Sequence, residues 1–166
     1  LNNFFYFFGL KKEPTETAIT RYLLSKFCID LIDIGCNHSE FSQAAAPSKK
    51  WPMTLIDFQP SLCNFSKIKL HNKQFNNFRV LCGAVGVKNN RQTIYIPKSH
   101  SGGAKLINSF ESKNKKETIK FQRILPDEYL NASKNYFIKA DIEGAEYFLL
   151  KELFNKNKFE KSISVI

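Results

Sequence analysis

Arginine is scarce in this chain, with 4 among 25 basic residues, and the remaining 21 are lysines that carry most of a formal net charge of +10. Specific recognition of phosphates and base edges draws on the planar guanidinium fork, which a lysine surplus does not supply. Together with abundant Asn, Ile and Phe, the lysines read as the compositional bias of an AT-rich genome. Nucleic acid is therefore set aside as a partner, and RNA-directed chemistry is kept only as a lesser alternative that the charge motivates. Four cysteines, Cys28, Cys36, Cys63 and Cys82, form no CxxC pair and have no histidine at metal-ligand spacing. No metal site is expected, the cysteines read as small hydrophobes, and a reducing cytoplasm is the default compartment. No run of 18 apolar residues exists to span a bilayer. The opening "LNNFFYFFGLKK" is too short, and its charges stand on the wrong side, for a secretory signal. Glycine is sparse, and no GxGxxG occurs.

What is present is the alternation of a single α/β domain, for which 166 residues suffice. Residues 1–27 read as an N-terminal helical segment packed on the core. Within it "TETAITRYLLSKF" has Thr15 as N-cap and Ile19, Tyr22, Leu23 and Phe27 on the inward face. From residue 28 to 166, "CIDLIDIG" is a strand, and "SEFSQAAA" a helix capped by Ser39 and stopped by Pro47. Then "PMTLIDF" is a strand, "PSLCNFSKIKL" a helix opened by Pro60, and "FRVLCGAVG" a third strand. Such alternation implies a mostly parallel sheet with helices on both faces. "TIYIP" and "ETIKFQRI" alternate with period two around Gly102 and Gly103, which predicts an antiparallel excursion; "ESKNKKE" is a solvated turn within it. "PDEYLNAS" is a short helix. "YFIKA" is a strand, and in "EGAEYFLLKELF" Ala145, Phe148, Leu149 and Leu153 share a helix face. "SISVI" is an edge strand. The chain starts at Leu1 without Met and stops in this strand, so the sheet is expected to lack its last strands.

Open α/β sheets bind ligands beyond the carboxyl ends of their strands. Three such ends carry polar residues. In "DIGCNHSE", Asp33 ends the strand, Gly35 allows a tight turn and Asn37 tolerates left-handed backbone; an acid before a lone glycine suits a ligand without phosphates. In "LIDFQP", Asp57 or Gln59 stands where an acid reaches a ribose hydroxyl. In "KADIEGAE", alternation puts Lys139, Asp141 and Glu143 on one side of the strand, and burying these charges without partners costs several kcal/mol each. They must pair or line a cavity. Glu146 serves the dipole at the helix start, and His100 is a surface histidine beside the excursion's glycines.

Taken in order, "IDLIDIGCNHSEF", "TLIDFQP", "LCGAVG" and above all "IKADIEGAE" resemble the FkbM-type family of S-adenosylmethionine-dependent methyltransferases, whose motifs read DxGAN-x-G, FEP, NxAxxD and KxDxEGxE. The resemblance covers about Cys28 to Ile166. It implies a Rossmann-like class I methyltransferase domain using S-adenosyl-L-methionine. The cofactor's methionine end would lie near Asp33, Gly35 and Asn37, its ribose near Asp57 and Gln59, and Ala84 would contact it from the third strand. The implied activity is O-methylation of a hydroxyl on a sugar, glycan or secondary metabolite. Asp141 is the first choice as base or orienting group, with Glu143 beside it and Lys139 holding the charge. Gln59 stands where the family has Glu, and Ser39 where the motif has its second Gly. These departures motivate a second reading, a non-catalytic member that binds a partner. Acceptor identity and oligomeric state are not legible.

Overall fold

The structure is a computed structural model, and it describes residues 15–87, 91–95, 105–106, 117–131, 133–142, 144–155 and 162–165. Glu143, His100, Gly102, Gly103 and most of "ESKNKKE" lie outside the described residues, as does the segment before Thr15. In chain order the elements are α1 (Thr15–Phe27), β1 (Asp30–Ile34), α2 (Glu40–Ala45), β2 (Met53–Asp57), α3 (Pro60–Asn72), β3 (Phe78–Cys82), β4 (Arg91–Tyr95), β5 (Lys105–Leu106), β6 (Glu117–Lys120), α4 (Pro126–Tyr129), β7 (Tyr136–Ala140), α5 (Glu146–Asn155) and β8 (Ser162–Val165).

A 5-stranded sheet in the order β3-β2-β1-β7-β8 runs parallel throughout. The chain builds outward from β1 to β3, then returns to place β7 on the other side of β1, so strand order reverses between β1 and β7. Strand parity assigns the two faces. Ile32, Ile34, Ile56, Ile138 and Ala140 pack with Leu149 and Leu153 of α5. Leu31, Met53, Leu55 and Phe137 pack with Leu24 of α1, Ala45 of α2 and Leu70 of α3. Helices thus cover both faces, as the alternation of elements predicts, and β1, β2 and β7 are nearly continuous apolar runs because they are buried on both sides.

The predicted excursion is a separate 3-stranded antiparallel sheet in the order β5-β4-β6. The chain rejoins the core where Ala84 N–H donates to the Gln122 carbonyl at 2.8 Å and Ile124 N–H donates to the Ala84 carbonyl at 2.9 Å. The third strand stops at Cys82, short of the expected Gly86, because Ala84 pairs in parallel with Arg123 instead of with β2. β8 pairs with β7 and forms the sheet edge.

One helix is rotated from the sequence expectation, and a second departs from it at one residue. Buried residues of α1 are Thr17, Ala18, Thr20 and Leu24, while Ile19, Tyr22 and Phe27 face outward. Small inward side chains let α1 lie close to its neighbours, and the Arg21 guanidinium donates to the Ala44 carbonyl near the end of α2, which fixes that rotation. Ala145, just before α5, and Leu149 and Leu153 within it are buried as expected, but Phe148 is 36% exposed. Among the described residues, no helix is long and apolar enough to cross a membrane.

Candidate functional site

The reversal of strand order falls between β1 and β7, and open parallel sheets place their ligands beyond the carboxyl ends of strands at such a point. β1 leads there into Gly35, whose φ is +76°. A Cβ on Gly35 would stand 2.0 Å from the Asp141 carbonyl oxygen, so this glycine admits the chain after β7. Asp141 N–H closes the contact by donating to the Ile34 carbonyl at 2.9 Å. The loops that follow β1 and β7 are therefore one packed unit.

Beyond Gly35 the turn is held from several sides. Asn37 (φ 46°) and Ser39 (φ 58°) are both left-handed, an arrangement that costs a side-chain-bearing residue about 1 kcal/mol. The Asp57 carboxylate accepts from Asn37 N–H and from Gln59 N–H, each at 3.0 Å, and so joins the turn after β1 to the start of α3. Ser66 Oγ of α3 donates to the Asn37 carbonyl at 2.9 Å, and Lys69 Nζ donates to the His38 carbonyl at 3.2 Å. Ser39 occupies the N-cap position of α2 without capping it. Its hydroxyl donates to the His38 carbonyl and accepts from Gln43 Nε2, because left-handed backbone aims the side chain away from the helix amides.

A second polar chain runs outward beside it. Asp33 is fully buried, and one of its oxygens accepts from Ser42 Oγ of α2. The other lies 3.4 Å from Lys139 Nζ, an ion contact without hydrogen-bond geometry. Lys139 Nζ also lies 3.5 Å from an Asp141 carboxylate oxygen and over the Phe41 ring. Its side chain is 11% exposed, whereas that of Asp141 is 66% exposed. One ammonium thus links a carboxylate in the core to one at the surface. Burial pushes the Asp33 carboxyl above the usual carboxylate range, outweighing Lys139 and Ser42, which act the other way. Asp57 is also raised by burial, against the amides of Gln59 and Asn37.

The structure brings Asp33, Gly35, Asn37, Asp57, Lys139 and Asp141 together at one end of the sheet. β7 ends at Ala140, so Asp141 lies past the strand and reaches solvent without belonging to a buried strand face. Gln59 is half-buried at the head of α3. Ala84 packs with Phe58, Val87 and Phe121 in a small apolar cluster. Glu146 accepts from Ile142 N–H at 3.1 Å and Gly144 N–H at 2.8 Å, which satisfies donors before α5 and matches its predicted service to the helix start.

Sequence reasoning missed Ser42, Ser66 and Lys69, whose hydroxyls and ammonium hold the turn, and Phe58 and Phe121, which meet only through the excursion. Serines within helices give no signal of such a role. Burial raises the thiols of Cys36 and Cys63, which removes them as nucleophiles at neutral pH. Among the described residues no group of three or more His, Cys, Asp or Glu side chains could hold a metal ion. An open polar cleft of about 410 Å³ lies at the other end of the sheet, near Arg79 and Tyr136. Its arginine is committed to Thr54 Oγ1 and the Tyr129 carbonyl, each at 2.9 Å. Comparison of the chain with family models, with curated proteins and with solved structures finds no match.

Proposed function

We propose that this chain is an S-adenosylmethionine-dependent methyltransferase with a Rossmann-like class I domain, acting on a hydroxyl of a sugar, glycan or secondary metabolite. The observation that carries the reading is the coincidence of the strand-order reversal with the turn after β1 and with the motif "KADIEGAE" after β7. Residues at this end fit the cofactor's parts. Asn37 Oδ1 is a buried acceptor without a protein partner, suited to the ammonium of the methionine end. The half-buried Gln59 suits a ribose hydroxyl, and the cluster of Phe58, Ala84, Val87 and Phe121 suits a flat base. Asp57 serves by shaping the turn, since amides already occupy its carboxylate.

Bound cofactor would supply a methyl group already activated on a sulfonium. What remains for the protein is alignment and proton removal. Asp141 is the exposed carboxylate at this end of the sheet and accepts the proton of the acceptor hydroxyl, while Lys139 orients it. Glu143 stays in the proposal as a neighbouring carboxylate on the sequence motif alone.

Calorimetry with S-adenosylmethionine and with its demethylated product tests the first half. Binding is expected, and Gln59→Glu should tighten it about five-fold, because a charged acceptor strengthens a hydrogen bond by about 1 kcal/mol. Transfer of labelled methyl groups to a panel of sugar and glycan hydroxyls tests the second half: Asp141→Asn should keep cofactor affinity and lose transfer. Absence of cofactor binding would leave the non-catalytic reading, which Gln59 and the strained Ser39 favour.

A further inference from the structure

Among the described residues, the helical layer of α1, α2 and α3 exposes more basic than acidic side chains. Lys26, Lys49, Lys50, Lys67 and Lys73 are exposed there, whereas acidic side chains on these helices and the α2–β2 loop are confined to Glu16 and Glu40. Large apolar side chains point outward among them: Tyr22 is 56% exposed, Phe27 49% and Ile68 61%. Hydrogen bonds tie the α2–β2 loop to the segments that follow α1 and α3. Trp51 Nε1 donates to the Ile29 carbonyl at 3.0 Å, tying the α2–β2 loop to the end of α1. Asn76 N–H donates to the Lys49 carbonyl at 3.1 Å, tying the same loop to the end of α3. Lys26 Nζ lies over the Tyr22 and Phe27 rings, and Lys49 Nζ over that of the buried Phe75.

We propose that this layer is an interfacial surface that docks on anionic lipid headgroups, with the α1 and α3 side chains entering the headgroup boundary. Charge complementarity selects an anionic partner. The choice of lipid over nucleic acid rests on the side chains themselves. The positive groups of the patch are lysines, which act as point charges on a diffuse negative surface without the bidentate geometry that phosphodiester recognition favours. Ile68 is a branched aliphatic that offers a base nothing to stack on, but it partitions favourably into an acyl boundary. Lys26, Lys49, Lys50 and Lys73 lie toward the amino ends of the strands, while Lys67 and Ile68 lie midway along α3.

Trp51 is the sole tryptophan and sits beside the patch, so its emission reports docking of the full chain directly. The probes are vesicles of phosphatidylcholine alone and of phosphatidylcholine mixed with phosphatidylserine, with single-stranded RNA as competitor. Binding is expected only on the mixed vesicles, weakening with added salt. Lys50→Gln should cost about five-fold in partition and Ile68→Ser about ten-fold, while Tyr147→Ser, an equally exposed aromatic on α5, should change nothing. All three positions are exposed, so folding is not at stake. The proposal is overturned by no partition, by equal partition into neutral vesicles, or by insensitivity to Ile68→Ser. Tighter binding to RNA than to the mixed vesicles also overturns it and names nucleic acid instead.

Discussion

Two carboxylates, Asp33 and Asp57, are taken out of water at neighbouring strand ends, and they are stabilised by different means. Asp57 is held by backbone amides, Asp33 by a serine and a lysine. Burial raises both carboxyls. A carboxyl raised in the fold keeps its proton there to higher pH than in the unfolded chain, where it titrates near 3.9. Its contribution to stability is present below that value and is lost as pH rises toward the folded value. Thermal melts of wild type and Asp33→Asn across pH 4 to 7 should therefore show wild type losing stability relative to the variant as pH rises; a constant difference would remove Asp33 as the source. Gly35→Ala should be among the most damaging single changes. It combines left-handed backbone with a methyl group 2.0 Å from the Asp141 carbonyl, so loss of more than about 3 kcal/mol is expected in denaturant melts. The positions of Asp33, Gly35 and Asp57 are legible in the sequence because strand ends are. Their partners are not, since Ser42, Asn37 N–H and Lys139 reach them only once loop paths are fixed.

The existence and order of the five parallel strands follow from apolar runs bounded by Gly, Pro and polar clusters, while the end of β3 does not, because Ala84 pairs with Arg123. Helix faces are harder. In α1 large apolar residues occur on both sides, so a pattern that counts size chooses Ile19, Tyr22, Leu23 and Phe27, while packing against the sheet selects Ala18 and Leu24. The observed rotation predicts opposite outcomes for two apolar substitutions in one helix. Leu24→Ala should cost about 2–5 kcal/mol in urea melts, whereas Phe27→Ser should stay within about 0.5 kcal/mol. Equal costs would mean that α1 packs as its sequence pattern alone suggests. The same reasoning explains the Phe148 discrepancy in α5, where Leu149 and Leu153 already pack with the residues of β1 and β7.

At the scale of the molecule, the sheet separates two surfaces. Its carboxyl end gathers Gly35, Asn37, Lys139 and Asp141, and the amino ends adjoin the lysine and aromatic patch of α1 and α3. Lys50 and Asp57 are near neighbours in the chain, and the strand between them carries them to opposite ends of β2. The geometry makes the two proposals separable by mutation. Asp57→Ala leaves the amides of Asn37 and Gln59 without their acceptor, at about 1–3 kcal/mol for each buried donor, and loosens the turn after β1. Measured well below its melting temperature, that variant should bind S-adenosylmethionine at least ten-fold more weakly and partition into phosphatidylserine vesicles as wild type does. Lys50→Gln should reverse the pattern, keeping cofactor affinity and losing vesicle binding. If either variant lowered both, the two ends of the sheet would be coupled, and a rigid parallel sheet separating them would not account for the protein.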